Sequence, residues 1–178
     1  MNLGDFQLIR LTDEHEFKYF DCNDKDLNDF FLNDSKDFLN SLIAVTYIIE
    51  SDKDTVAFFS LFNDRISAED FESNRKWRIF REKAISPSKR FRSYPAVKIG
   101  RLAVSADYQK NHFGTAILDY IKEWFVDNNR TGCKFITVDA YRQSLKFYEN
   151  NGFKYFTNED INEDTRTMYF DLLPFANS

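Results

Sequence analysis

The feature that most constrains the fold is a strand-to-helix junction, VSADYQKNHFGTAILDYIKEWF, which runs from Val104 to Phe125. The preceding stretch, AVKIGRLAV, predicts a buried strand, and FGTAILDYIKEWFVDNN predicts a helix whose inward residues are Ile117, Ile121, Trp124 and Phe125. A helix that begins beside a strand end directs unpaired N–H groups and the positive end of its dipole toward that point. The junction is therefore a candidate anion site, in which Gly114 allows close approach to the backbone.

The rest of the chain alternates between strand and helix patterns. Strands are expected at residues 6–11, 133–140, 153–157 and 165–173, and 42–51 with 55–64 reads as an antiparallel hairpin. A first helix is expected from a cap at Asn23 or Asp24 through residue 38. A second is expected over residues 67–85, with Trp77, Phe80 and Ala84 on one face and an end before Pro87. A third is expected over residues 142–152, with its end at Gly152. This order predicts one α/β domain over residues 1–178. Its mixed, twisted sheet has about seven strands flanked by helices, with the parallel crossover in the second half of the chain.

The composition suits one packed domain in a reducing compartment. Hydrophobic residues make up 43% of the chain and 20 residues are Phe, which is ample for a core. No apolar run approaches the ~20 residues of a membrane span, and the N-terminus lacks the layout of a signal peptide. Cys22 and Cys133 are too few for a disulfide framework and are interpreted as inert, small hydrophobic residues. A cytoplasmic protein with no membrane association is therefore expected.

Charge is spread unevenly along the chain. The formal net charge is −5, yet residues 75–92 hold eight Lys or Arg against Glu82 alone, a local balance of +7 that leaves −12 for the remainder. Such a basic strip can bind a polyanion, with Trp77, Phe80 and Phe91 between the cations. The alternative is an ordinary solvated helix face whose aromatic residues turn toward the core.

Two motifs carry a resemblance to a known family. GRLAVSADYQKNHFGTAIL resembles the acetyl-coenzyme A (acetyl-CoA) motif of the GNAT acetyltransferase superfamily, an Arg or Gln followed by x-x-Gly-x-Gly/Ala, with His112 in place of the first glycine. VDAYRQSLKFYENNGF is similar to the family's second motif, Asn-x-x-Ala-x-x-Phe-Tyr and a closing Gly-Phe. Phe147, Tyr148, Gly152 and Phe153 match that motif, whereas Tyr141 and Ser144 replace its Asn and Ala.

The resemblance implies the GNAT fold and transfer of an acetyl group from acetyl-CoA to a primary amine by direct attack, with no metal. It implies that Tyr148 protonates the leaving thiolate. The implied cofactor-binding residues are Leu102, Ala103 and Val104 on the strand, Gln109, Lys110, Asn111, His112, Phe113, Gly114 and Thr115 in the loop and helix start, and Ser144. His112 matters only if its backbone needs positive φ or lies against the ligand, and weakened cofactor affinity is expected.

No general base can be assigned from the sequence. Asp139 follows a strand but is as often structural in such a position, and His15, in an acidic segment, is expected to be solvated. The family often deprotonates the amine through a water chain, which leaves no mark in a sequence.

The expected acceptor is a primary amine of a small molecule or peptide, and a second class of acceptor is the alternative. A small molecule or peptide suits the acidic body, for which the pI is near 5.1. YFDCNDKDLNDFFL also resembles the acetyltransferase toxins of toxin–antitoxin pairs, which act on aminoacyl-tRNA and are neutralised by an antitoxin; the matching residues are Phe20, Asp21, Cys22, Asp26, Leu27, Phe31 and Leu32. A non-catalytic GNAT-like binding module and a homodimer also remain possible.

Overall fold

The predicted strand-to-helix junction is present in the computed structural model, which describes residues 6–86, 90–127 and 131–177. The strands are β1 (Gln7–Arg10), β2 (Val45–Glu50), β3 (Thr55–Ser67), β4 (Ser93–Val104), β5 (Phe135–Tyr141), β6 (Lys154–Tyr155) and β7 (Thr165–Asp171). The α-helices are α1 (Lys25–Asp29), α2 (Ser35–Asn40), α3 (Asn74–Ala84), α4 (Phe113–Val126), α5 (Leu145–Asn150) and α6 (Leu172–Ala176).

The strands form a seven-stranded sheet in the order β1-β2-β3-β4-β5-β7-β6. Strand β2 pairs antiparallel with β1 and with β3, which confirms the predicted hairpin. Strand β7 pairs antiparallel with β5, in a register that places Asp139 opposite Thr167, and also with β6. The predicted α/β class with a mixed sheet of about seven strands is confirmed.

The chain forms two compact units, and each is built from two separate stretches. The first unit comprises the chain up to Phe62 together with Ile99–Tyr120, and the second comprises Asn63–Lys98 together with the chain from Ile121 onward. The carboxyl end of β4 and the start of α4 belong to the first unit. Helix α5 and strand β5 belong to the second.

Phenylalanine dominates the core of the first unit. Phe31 stacks on Phe58 with ring centroids 4.6 Å apart, and Phe20 meets both rings edge to face. Ile48 and Leu11 are fully buried in the same cluster. Aromatic rings of this size bury large apolar areas and gain further from edge-to-face geometry, so this cluster fixes the helical segment on the sheet.

The predicted first helix is interrupted. Between α1 and α2 the residues Phe30–Asp34 form a π-helical turn, which adds one residue to the helical turn there. Asp24 caps α1 as expected, because its side chain accepts a hydrogen bond from the Leu27 N–H at 3.1 Å. The π-helical turn keeps both Phe30 and Phe31 buried, which lets neighbouring aromatic residues face the core together.

The second unit has its own aromatic core around α3. Trp77 and Phe80 turn inward from this helix, as predicted, and pack with Tyr94, Ile66 and Phe135. The helix begins at Asn74 rather than near residue 67, because Ser67 and Asp70 form a capping box around a separate 3-10 turn. Pro87, the predicted stop, lies outside the described residues. Helix α6 was not predicted.

At two positions the structure explains why the residue is glycine. Gly152 has φ +85°, a left-handed conformation that confirms it as the stop after α5. Gly100 lies in β4 under Phe62, where an added Cβ would sit 1.9 Å from a ring carbon. The strand therefore has no space for a side chain at position 100.

Candidate active site

The segment that leaves β4 is fixed at both ends by backbone hydrogen bonds. Ser105, which is buried, donates its N–H to the carbonyl of Val56 in β3 at 2.8 Å. Ala106 donates its N–H to the carbonyl of Asp21, also at 2.8 Å. A 3-10 turn then carries the chain to Gln109, whose N–H bonds back to Ser105. The loop that follows therefore starts from a defined point at the strand end.

Two residues of the predicted cofactor loop adopt the left-handed backbone conformation. Lys110 has φ +63° and His112 has φ +61°, whereas Asn111 between them does not have positive φ. Alternation in the sign of φ is typical of a backbone nest, in which successive N–H groups converge on an anion. His112 thus stands where the backbone does need positive φ. The conformation is one that glycine adopts without the cost that other residues incur.

Helix α4 begins directly after His112, whose carbonyl accepts the N–H of Ala116 at 3.0 Å. Phe113 is 1% exposed, and its ring contacts Phe6 and Tyr108 at centroid distances of 5.2 and 5.7 Å. Its side chain therefore anchors the helix start and leaves only its main chain for a ligand. The exposed residues at this point are Gln109, Lys110, Asn111 and His112.

These residues fit the pyrophosphate of acetyl-CoA. The nest precedes a helix of 14 residues, whose first N–H groups have no partner within the helix and whose dipole favours negative charge. Gly114 and Thr115 lie half-buried in its first turn. On β4, Ala103 is buried while Leu102 and Val104 are half-buried, so the strand end keeps partial access to a ligand. The predicted strand, loop and helix residues are thus brought together in the first unit.

The side chain of Gln109 serves the protein rather than a ligand. Its Nε2 atom donates to the carbonyl of Val104 at 3.0 Å and to the carbonyl of Cys22 at 3.1 Å. One amide nitrogen carries two hydrogens, and both are used here. The strand end and the residues before α1 are therefore joined by one side chain.

Asp21–Asp24, the α1 cap loop, is held rigidly by its own side chains. Asp21 Oδ1 accepts hydrogen bonds from the Asn23 N–H at 2.8 Å and from Asn28 Nδ2 at 2.7 Å. Both bonds lower the pKa of Asp21, and the bond from the Asn23 N–H has the larger effect. Asn23 has φ +63°, which asparagine tolerates better than most residues. The loop opens onto a polar cleft of about 410 Å³ lined by Asp21, Asn28, Asp29, Leu32 and Asn33, among others.

Tyr148 lies on α5 in the second unit and is 6% exposed. Its ring contacts Phe147 and Phe153 at centroid distances of 5.1 and 5.2 Å. Burial raises the pKa of Tyr148 well above its usual value, so its phenol stays protonated at neutral pH. A proton donor needs this state. Ser144 lies half-buried immediately before α5.

The expectation for His15 is wrong, because its side chain is only 12% exposed. Its Nε2 atom lies 3.1 Å from Oε1 of the buried Glu50, so the local fold places the ring against a carboxylate and not in solvent. Asp139 forms an ion pair with Lys98 and accepts a hydrogen bond from Thr167 Oγ1 at 3.0 Å, contacts that agree with a structural role.

The interpretation of the cysteines as inert agrees with their surroundings. Burial raises the pKa of Cys22, and it raises the pKa of Cys133 to about 11. Both thiols therefore stay protonated at neutral pH, and a protonated thiol is a poor nucleophile.

The basic strip divides into paired and exposed cations. Lys76 pairs with Glu72, Arg78 lies 4.0 Å from Glu82, and the Arg81 guanidinium lies over the Trp77 ring at 5.2 Å. Exposed positions include Arg75, Lys83, Arg90, Phe91 and Arg92, and Phe91 is 63% exposed. Lys89 lies outside the described residues. Trp77 and Phe80 belong to the core, as the solvated-face interpretation requires, but Phe91 does not.

Sequence reasoning missed the links between Asp21, Cys22 and the segment after β4. The spacing Asp21-x-Asn23 indicates a local side-chain turn, yet nothing local indicates that the carbonyl of Cys22 accepts a hydrogen bond from Gln109, 87 residues away. Lys122 was also missed: it is 5% exposed and its Nζ lies 4.8 Å from the centre of the Phe170 ring.

Comparison with protein families gives a match of residues 44–155 to the acetyltransferase (GNAT) domain. Comparison with curated protein sequences gives no significant match. Within the described ranges, no helix is long and apolar enough to cross a bilayer, and no His, Cys, Asp and Glu side chains gather as a metal site would need.

Several solved structures share the fold over nearly the whole chain. A tyrosine-to-phenylalanine mutant of KacT has 16% identity and a TM-score of 0.76, and covers 97% of this chain and 98% of its own. AtaT complexed with acetyl-methionyl-tRNAfMet has 19% identity and a TM-score of 0.75, with coverage of 96% and 97%. A structure described as a bacterial toxin has 13% identity and a TM-score of 0.77, with coverage of 97% and 93%. At such identities the likeness shows the fold alone.

Proposed function

The chain belongs to the GNAT acetyltransferase family, and on that premise we propose that it acetylates the amino group of aminoacyl-tRNA. As a family member it is an acetyl-CoA-dependent N-acetyltransferase. The proposed acceptor rests on the likeness to AtaT complexed with acetyl-methionyl-tRNAfMet, which extends over 96% of this chain. The match to the family spans residues of both units, which supports a single domain over residues 1–178.

The loop of the first unit is assigned to the cosubstrate. Backbone N–H groups of Lys110 to Thr115 hold the pyrophosphate, and the backbone of Leu102 to Val104 binds the pantetheine arm as an added strand would. A backbone N–H near Val104 polarises the carbonyl under attack. Acetyl-CoA supplies the thioester whose acetyl group passes to the amine nitrogen as the carbon–sulfur bond breaks.

Tyr148 is assigned the role of general acid. Its buried phenol holds a proton at neutral pH and delivers it to the departing sulfur, so that coenzyme A leaves as the neutral thiol. The amine loses its own proton to water, which fits the structural roles of Asp139 and His15. Ser144, half-buried before α5, completes the proposed cosubstrate contacts.

The exposed cations of the second unit support a polyanionic acceptor. Arg75, Lys83, Arg90 and Arg92 are exposed, and Phe91 stands between two of them as a stacking surface. Phosphate contacts of this kind supply most of the affinity for nucleic acid. By the same likeness we propose an antitoxin as partner, because AtaT bound to the C-terminus of the antitoxin AtaR shares the fold at 17% identity over 97% of this chain. A cytoplasmic location and a homodimer complete the proposal.

A small-molecule or peptide amine is the second candidate acceptor. The cleft at α1 carries Asp21 and Asp29 against Lys25, and the lowered pKa of Asp21 keeps that carboxylate charged. Such a surface attracts a cationic amine rather than a phosphate. A non-catalytic module would bind neither class productively.

The test is acetylation of a charged tRNA mixture with labelled acetyl-CoA, beside a panel of small amines and peptides. We expect label in the aminoacyl group, lost in Tyr148→Phe and kept in Tyr169→Phe, which removes the same hydroxyl from a half-buried tyrosine elsewhere in the second unit. Induced expression should arrest bacterial growth with the native chain but not with Tyr148→Phe. Label in a small amine without growth arrest would favour the second candidate. Failure of acetyl-CoA to bind in a calorimetric titration would leave only the non-catalytic module.

A further inference from the structure

Three elements of the first unit meet at one side chain. The carbonyl of Val104 belongs to the strand end, and the carbonyl of Cys22 belongs to the α1 cap loop. Gln109, which begins the cofactor loop, donates one hydrogen to each from a single nitrogen. No other hydrogen-bonded side chain identified in the described part of the chain joins these three elements.

A second bond joins the same elements through the backbone. The Ala106 N–H donates to the carbonyl of Asp21, three residues before Gln109. Asp21 and Asn28, which hold the cap loop together, are also lining residues of the polar cleft. A shift of the segment after β4 therefore changes the walls of the cleft directly, because no flexible linker lies between them.

We propose that Gln109 is a positioning residue that couples the acetyl-CoA loop to the α1 cleft, and that the carboxylates of Asp21 and Asp29 in this cleft receive the amine-bearing end of the acceptor. The inference rests on the proposed function for the identity of the acceptor. It differs from a ligand contact, because both amide hydrogens are already used within the protein. Ordering of Lys110 and His112 around an anion fixes Gln109, and Gln109 then fixes Cys22 and the cap loop.

The two hydrogen bonds that Gln109 donates to Val104 and Cys22, called the bridge below, determine which variants test the proposal. Gln109→Met keeps the length of the side chain but has no hydrogen to donate. Gln109→Arg has several N–H donors in a fork and can serve two carbonyls, so it should restore the bridge. Gln7→Met makes the same chemical change at an exposed position of β1 and is the matched control.

Kinetics separate positioning from general instability. With the charged tRNA mixture as acceptor, we expect Gln109→Met to raise the acceptor KM about fivefold or more, because small displacements of a binding surface are costly. The Kd for acetyl-CoA and kcat should stay within about twofold, since the main chain binds the cosubstrate. Gln109→Arg and Gln7→Met should behave as the native chain. The proposal would be overturned if Gln109→Met impaired the acceptor KM, kcat and the Kd for acetyl-CoA equally. It would also be overturned if Gln109→Arg did not restore the acceptor KM.

Hydrogen exchange tests the coupling without any acceptor. In the native chain and in Gln109→Arg, saturating CoA should slow amide exchange across residues 22–27 and at Ala106 by about fivefold, because the ordered loop strengthens the hydrogen bonds that already join it to Cys22 and Val104. In Gln109→Met, CoA should bind without this protection. Equal protection in Gln109→Met would overturn the coupling alone. A native chain that does not bind acetyl-CoA would overturn the proposed function as well.

Discussion

The Nζ atom of Lys18 lies 2.8 Å from the Oε2 atom of Glu50, a carboxylate at the end of β2 that is only 3% exposed. His15 meets the other carboxylate oxygen, and Lys18 also donates to the Ser51 carbonyl at 2.8 Å. The segment before α1 is thus attached to the sheet through one buried charge. A buried charge that loses its partner is costly, because the desolvation penalty is no longer offset.

Lys18→Met should therefore destabilise the protein by about 2 kcal/mol, below the full value for a buried pair because Lys18 is a third exposed. Lys53→Met, at an exposed position of the neighbouring turn, is the control. The free energies of unfolding from urea titration measure the difference. An equal effect of the two changes would mean that the ion pair contributes nothing.

Gly100→Ala should destabilise the first unit by about 1–3 kcal/mol or more, since the new Cβ meets the Phe62 ring at 1.9 Å. Gly132→Ala provides the matched control, because nothing lies within 4 Å of the added carbon there. Thermal unfolding of both variants measures the difference. Adding Phe62→Leu to Gly100→Ala should recover part of the loss.

His112→Gly should bind acetyl-CoA about two- to fivefold more tightly than the native chain, because glycine adopts the +61° conformation at less cost. Asn111→Gly, at a position without positive φ, should bind more weakly, since it only adds backbone freedom. Calorimetric titration with acetyl-CoA gives both affinities. Weaker binding by His112→Gly would show that the imidazole contributes to the site directly.

Tyr148→Phe should lower kcat by about a hundredfold or more, the usual contribution of a general acid, and leave the Kd for acetyl-CoA nearly unchanged. Because burial raises its pKa, Tyr148 should not cause an alkaline fall in the rate of the native enzyme up to about pH 10. Initial rates from pH 6 to pH 10 test both expectations. Full activity of the variant would assign the proton donor elsewhere.

Cys133 should make stability fall in alkaline solution. The pKa of its thiol rises from 9.0 to about 11 on folding. The protonated thiol therefore makes its full contribution to the free energy of unfolding below pH 9, and this contribution is lost as the pH rises through 11. Cys133→Ala should flatten the dependence of the unfolding free energy on pH in this window. Cys22 also has a raised pKa, so Cys22→Ala should flatten it as well, and the double variant shows whether the two effects add.

The sequence predicts the succession of strands and helices along the chain and the strand-to-helix junction well because those features are local patterns. It does not predict the π-helical turn, since Leu27, Phe30, Phe31 and Phe38 suit a continuous helix and the extra residue depends on stacking against Phe58. It does not predict the bridge at Gln109, whose partners Cys22 and Val104 are set by the tertiary fold.

The start of α3 was misplaced for a related reason. Ser67 and Ser73 both suit a helix cap, and only the capping box with Asp70 decides that the first cap serves a separate turn. Positive φ at His112 is indicated only by the family pattern, which places glycine at this position. The identity of the side chain alone does not reveal the backbone conformation.

The interleaving of the two units sets an order for folding on the ribosome. A nascent chain that has emerged through Tyr120 contains every stretch of the first unit, including the loop at His112. The second unit already has Asn63–Lys98 by then but must wait for the remaining third of the chain, which carries Tyr148. During synthesis, strands of the unfinished unit stay without their partners, and N-terminal units generally fold first. Tyr148, the proposed proton donor, is therefore among the last parts of the protein to reach its native surroundings.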